Sequence, residues 1–203
     1  NINYFTTGPD LTLPVSSRNS LLFSGRFSDT YYEDSIEDSQ SLAGTLGFQH
    51  AFSRQTMASL NVSMSKIEYD EEDLFEEYEI RDAFFRIATE GVNTTFTGDF
   101  GYSEFERGEE KSDSPLVRIT ISRTMSARSR LDVELGTEFA TSGQMLRLDQ
   151  TAEGVDSVGS QDVVAASDAF RSEYVYLGWN TAWTRTTLDL GLHARSEDYE
   201  TDA

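Results

Sequence analysis

The sequence predicts an all-β fold, an antiparallel up-and-down transmembrane β-barrel, on three observations. Apolar and polar residues alternate with period two, tight and long connections alternate along the chain, and acidic residues collect at the long ones. In residues 57–65, Leu60, Val62 and Met64 alternate with Ser59, Asn61, Ser63 and Ser65. A strand places two such sets on opposite faces. In 41–52, Leu42, Leu46, Phe48 and Phe52 oppose Ser41, Thr45 and Gln49. Val117, Ile119 and Ile121 oppose Arg118, Thr120 and Ser122, and Leu131, Val133, Leu135 and Phe139 oppose Asp132, Glu134, Gly136 and Glu138. Val175, Leu177 and Trp179, then Leu188, Leu190 and Leu192, continue the plan. No stretch has helical spacing.

These patterns give about ten strands: 3–14, 20–32, 40–52, 57–69, 78–89, 94–107, 115–125, 130–141, 171–183 and 186–199. Tight turns fall at 16–19, 53–56, 90–93, 126–129 and 184–186, and long acidic connections at 33–40, 70–79, 108–114 and 141–170. The last of these is a long extracellular loop insertion in a single barrel domain spanning 1–203. Strands of about a dozen residues exceed the usual soluble length and suffice to cross a bilayer at a tilt. Tyr31, Tyr32, Tyr69, Tyr78, Phe105 and Tyr199 lie by the long loops, and Phe52, Trp179 and Trp183 nearer the tight turns, as two aromatic girdles. A soluble sandwich would instead join its apolar faces and guard its edge strands. Both chain ends fall at the long-loop end, so the expectation is an interior portion of a longer chain and a larger barrel.

Composition removes several function classes. Asp plus Glu number 36 against 16 Lys plus Arg, a formal charge of -20, so no surface here neutralises a row of phosphates and nucleic acid is not an expected partner. With no cysteine, thiolate chemistry and Cys-based zinc sites are excluded. No apolar run is long enough for a transmembrane helix. Two histidines, His50 and His193, and no G-x-S-x-G setting argue against an enzyme. No metal or other cofactor is expected.

The runs "YFTTGPDLTLPVSSRNSLLFSGRFSDTYYEDS", "SLAGTLGFQHAFSRQTMASLNVSMSKIEYD" and "RDAFFRIATEGVNTTFTGDFGYSEFER" resemble proteobacterial outer-membrane β-barrel proteins of the exosortase/PEP-CTERM (exopolysaccharide)-associated type. The hairpin "SPLVRITISRTMSARSRLDVELGTEFATSG" is similar to later repeats of that family. The resemblance is one of strand and turn style across most of the chain. It implies a bacterial outer-membrane location, lipid and lipopolysaccharide as surroundings and a link to exopolysaccharide export. It supplies no catalytic residues.

Two sets of candidate site residues follow. Arg118 shares a face with Asp132, Glu134 and Glu138; Asp189, His193 and Arg195 share one further on, and Arg26 joins from the second strand. They fit a charged constriction lining the lumen, or a lattice of ion pairs that fills it, the reading favoured because a barrel interior is polar whether or not it conducts. The second set is the acidic loop with Asp70, Glu71, Glu72, Asp73, Leu74 and Phe75, which fits cation or protein-partner contact, although no calcium-loop pattern is present. The functional expectation is an outer-membrane barrel with a structural or channel role in exopolysaccharide export or solute passage. The alternatives are a plugged surface scaffold and a soluble secreted adhesin or filament subunit.

Overall fold

The computed structural model describes residues 2–32, 39–69, 77–140 and 170–199. They form one sheet of eleven antiparallel strands: β1 (Ile2–Thr7), β2 (Asp10–Pro14), β3 (Asn19–Tyr32), β4 (Ser39–Ala51), β5 (Thr56–Tyr69), β6 (Tyr78–Glu90), β7 (Thr94–Arg107), β8 (Glu110–Ser126), β9 (Ser129–Ala140), β10 (Phe170–Ala182) and β11 (Thr187–Tyr199). From β3 onward each strand pairs with the next in the chain, and no helix occurs among the described residues.

The strand expected over 3–14 is β1 plus β2. Both pair with β3 in one register, Thr7 opposite Phe27 and Asp10 opposite Ser24. The interruption is Gly8–Pro9. Proline has no N–H for the ladder, yet the Pro9 carbonyl still accepts Gly25 N at 3.0 Å. A Cβ on Gly8 would lie 1.9 Å from the Gly25 carbonyl oxygen, so only glycine fits there.

One expected loop is strand. Residues 110–113 continue β8, and Arg107 pairs directly with Glu110 across a two-residue turn. Gly108 has φ 55°, the left-handed conformation that a tight hairpin asks of glycine. Three other tight turns use serine. Ser16 Oγ accepts the backbone N–H of Asn19, Ser53 Oγ that of Thr56 and Ser126 Oγ that of Arg128, at 3.0–3.2 Å. A short hydroxyl side chain folded onto its own turn explains the recurring S-x-x pattern.

The two faces differ in kind. Leu42, Leu46, Leu60 and Val62 are exposed on one face at 62–65%, while Ser103, Ser114 and Ser172 on the other are 0–1% exposed. No second layer covers either face among the described residues, so the polar groups are shielded by neighbours on their own face. The Phe105 ring on that face meets a ring from beyond the intervening strand, Phe139 of β9, 5.6 Å away. Flat strands two apart are separated by about 10 Å, so the sheet curls towards its polar face.

The apolar residues form a continuous band. Phe23 pairs with Leu46, Leu46 with Val62, Phe85 with Phe100, Ile119 with Leu135 and Leu177 with Leu192. The band runs obliquely. One row of partners passes from Asn19 through His50, Ala58, Ile87, Gly98, Ile119, Leu135 and Val175 to Ala194. In β3 the band, Leu21–Phe27, lies on the long-loop side of that row; in β11, Leu188–Ala194, it lies at the row and on the tight-turn side. Its centre therefore drifts by about one residue per strand, which at the usual rise and strand spacing is a tilt of roughly 35°.

β1–β2 and β11 each keep one unpaired edge and do not pair with one another, so the sheet is open among the described residues.

Candidate functional site

The polar face carries an ionic ladder. Arg86, Asp99, Arg118, Gly136, Tyr174 and Arg195 are successive cross-strand partners on β6 to β11. Directly opposed residues in antiparallel strands project from the same face, so this row is fixed by register alone. Arg86 donates two parallel bonds to the Asp99 carboxylate, Nε to Oδ1 at 2.6 Å and Nη2 to Oδ2 at 2.7 Å. Arg118 Nε lies 3.2 Å from Asp99 Oδ2, and Arg118 Nη1 donates to Glu138 Oε2 at 3.1 Å. The Tyr174 hydroxyl donates to Glu138 Oε1 at 3.2 Å.

The Asp99 side chain is 3% exposed. Burial of such a carboxylate requires paired charge and hydrogen bonding; Arg86 supplies both, and Arg118 adds a second opposing charge. Both guanidinium groups also lie over the Phe84 ring, at 5.5 and 5.2 Å from its centroid. Beside the ladder, Asp82 accepts from Ser63 at 3.1 Å and Ser103 at 2.5 Å, tying β5, β6 and β7 together. Glycine makes room for the far end. A Cβ on Gly136 would stand 2.8 Å from the Tyr174 ring, which lies across that position.

Polarity inverts at the long-loop end. On the polar face, Ile67, Tyr78, Ile80 and Phe105 form a buried cluster with Tyr69 against it, joined by Phe139, which alternation along β9 sets with Val133 and Leu135 rather than with Glu138. The Tyr78, Phe105 and Phe139 rings follow one another at 5.7 and 5.6 Å. On the apolar face, the band gives way to charge. Lys66 pairs with Glu68 and Glu77 at 2.8 Å, Arg81 with Glu79, Glu104 and Glu106, and Lys111 with Glu106 at 3.0 Å. Tyr69, Tyr78 and Phe105, expected in an outer aromatic girdle, therefore pack on the polar face instead. Burying three rings against two isoleucines removes more apolar surface from water than an exposed girdle does.

Of the residues named from sequence, the structure joins Arg118 to Glu138. Asp132 pairs with Arg130 of its own strand rather than with Arg118. Glu134 and His193 flank Tyr176 as its cross-strand partners on the polar face. Asp189 accepts from Asn180, and Arg195 bonds Ser172 and Glu197. Arg26 stands apart from the ladder, paired with Asp10. Asp70, Glu71, Glu72, Asp73, Leu74 and Phe75, and the 141–169 insertion, lie outside the described residues. Sequence reasoning missed Arg86, Asp99 and Tyr174. Their signal was present, because each alternates with an apolar neighbour (Phe85, Phe100, Val175).

The described residues hold no group of three or more metal-ligating side chains. Chemically, the ladder is a lattice of charged groups bonded to one another. No family model matches the chain, and no curated protein matches it either.

Proposed function

We propose that the chain forms the wall of a transmembrane β-barrel in a bacterial outer membrane, with a structural or channel role. The observation that carries this reading is the exposed apolar band crossing the strands at roughly 35°. Membrane barrels have strands tilted by about 35–45°, with an apolar band facing lipid and polar residues facing inward. The band ends in a row of charge at the long-loop end, as a surface does on leaving hydrocarbon for water. A soluble sheet with 28 large exposed hydrophobic residues among the described ones would have no comparable means of shielding them. The free edges of β1–β2 and β11 are paired in the assembled ring, because unpaired backbone groups are not tolerated in lipid. The test is reconstitution into phospholipid vesicles. Vesicle-borne, protease-resistant chain with a heat-dependent shift in gel mobility is expected, and a monodisperse chain in detergent-free buffer would remove the reading.

A second reading, a filled barrel acting as a scaffold, is favoured by one observation. The ladder from Arg86 to Tyr174 and the aromatic cluster occupy the inner side of β6 to β10 with groups already bonded to one another. Steady current across a planar bilayer excludes that reading; its absence from an inserted barrel supports it.

A further inference from the structure

We propose that the tight-turn end of the sheet is a docking surface for anionic phospholipid headgroups, an inference that rests on the barrel reading. Each of the five tight turns carries an arginine in or beside it: Arg18, Arg54, Arg128 and Arg185 within their turns, and Arg123 next to the 91–93 turn. Arg123 is opposite Thr94 in the β7–β8 register, and Thr124 N donates to the Asn93 carbonyl at 2.8 Å. All five arginines are exposed, and none has an acidic partner among the described residues. The contrast is at the other end, where Lys66, Arg81 and Lys111 are each held by one to three carboxylates. Glu90 is the single acid in these turns.

Beside each arginine stands an exposed apolar side chain. Val15, Phe52, Val92, Met125 and Trp183 are 62, 60, 92, 58 and 53% exposed. Hairpins recur every second strand, so this arginine–apolar unit repeats about every 10 Å along the rim. The arginine fork suits phosphate oxygens, and the neighbouring side chain continues the apolar band into the headgroup layer. An acidic protein would match the charge but not the apolar tips, whose place is the boundary between acyl chains and headgroups. A lipid surface accounts for both.

Lipid-specific fluorescence quenching tests this. The chain has two tryptophans, and both Trp179 and Trp183 lie at the tight-turn end of β10. The full chain is reconstituted into phosphatidylcholine vesicles holding about one part in five phosphatidylglycerol, with one or the other lipid brominated. Quenching by brominated phosphatidylglycerol about twofold above its mole fraction is expected at low salt and declines as salt is raised. The combined variant Arg18→Gln, Arg54→Gln, Arg123→Gln, Arg128→Gln and Arg185→Gln is expected to return it to the mole fraction. Quenching proportional to mole fraction in the native chain overturns the proposal while leaving the barrel intact. Enrichment that survives all five substitutions, or polyglutamate bound at the rim without lipid enrichment, overturns it as well. Quenching by neither lipid removes the barrel reading itself.

Discussion

Asp99 and Arg86 form a two-pronged ion pair across β6 and β7, at 2.6 and 2.7 Å, with the Asp99 side chain almost wholly buried and the Arg86 side chain 45% exposed. Arg118 approaches the same carboxylate from β8. One acid thus holds two cations on adjacent strands, and the sheet loses most when the acid is removed.

Asp99→Ala is expected to destabilise the fold by about 2–4 kcal/mol, somewhat below the loss for a fully buried pair, because Arg86 is partly solvated. Arg86→Gln leaves Asp99 with Arg118 and costs less, about 1 kcal/mol. Urea unfolding of both variants in vesicles gives the ordering. A larger loss for Arg86→Gln would mean that the acid is not the shared centre.

Gly136→Ala is expected to cost about 1–3 kcal/mol through overpacking. The added Cβ meets the Val117 carbonyl oxygen at 2.7 Å and the Tyr174 ring at 2.8 Å. Tyr174→Ala in the same chain removes the second obstacle but not the first. The double variant is therefore expected to lose less than the sum of the two single variants, which a double-mutant cycle measures. Additive losses would place the tyrosine ring elsewhere.

Val133 and Glu134 are adjacent residues on opposite faces of β9. Val133 lies between Ile121 and Leu177 in the apolar band, and Glu134 between Thr120 and Tyr176 on the polar face. Val133→Arg is expected to impair folding into vesicles by about 2–4 kcal/mol near mid-membrane, and Glu134→Arg by far less. Equal losses at both positions would contradict the assignment of lipid to the apolar face.

Period two made the faces legible from sequence, since alternation such as Leu60–Asn61–Val62–Ser63 leaves a strand no other arrangement. The ten hairpin strands followed from the same signal. The partners within the ladder did not, because a one-residue change of register replaces every contact. Arg118 thus had three candidate acids on its face, and Asp99 on the preceding strand was overlooked. The β7–β8 connection was misread because its charge resembled a loop, whereas Gly108 alone suffices to close a hairpin and lets Glu110–Asp113 extend β8. The aromatic side chains at the long-loop end posed a further problem. Hydrophobicity suggested that Tyr78 and Phe105 face outward, while parity with Asp82 and Ser103 placed them inward; parity was the better guide for these two, whereas Phe139, with the parity of Val133 and Leu135, joins the same cluster past the last β8–β9 pair at Thr137.

That inversion gives the last prediction. Phe105 is 1% exposed and lies between Tyr78 and Phe139, with the Arg107 guanidinium 5.4 Å from its centroid. It is the central ring of a cluster contributed by β5, β6, β7 and β9. Phe105→Ala is expected to cost about 3–5 kcal/mol, the range for deleting a packed aromatic side chain. Phe105→Leu preserves most of the apolar volume and should lose less than half as much. Tyr102 is three residues away on the apolar face and 50% exposed. If lipid covers that face, Tyr102→Ala loses only an interfacial contact and leaves no cavity, so its cost should fall well below that of Phe105→Ala. Unfolding midpoints of the three variants in vesicles decide the matter, and a loss at Tyr102 equal to that at Phe105 would mean that the apolar face, too, is packed against protein.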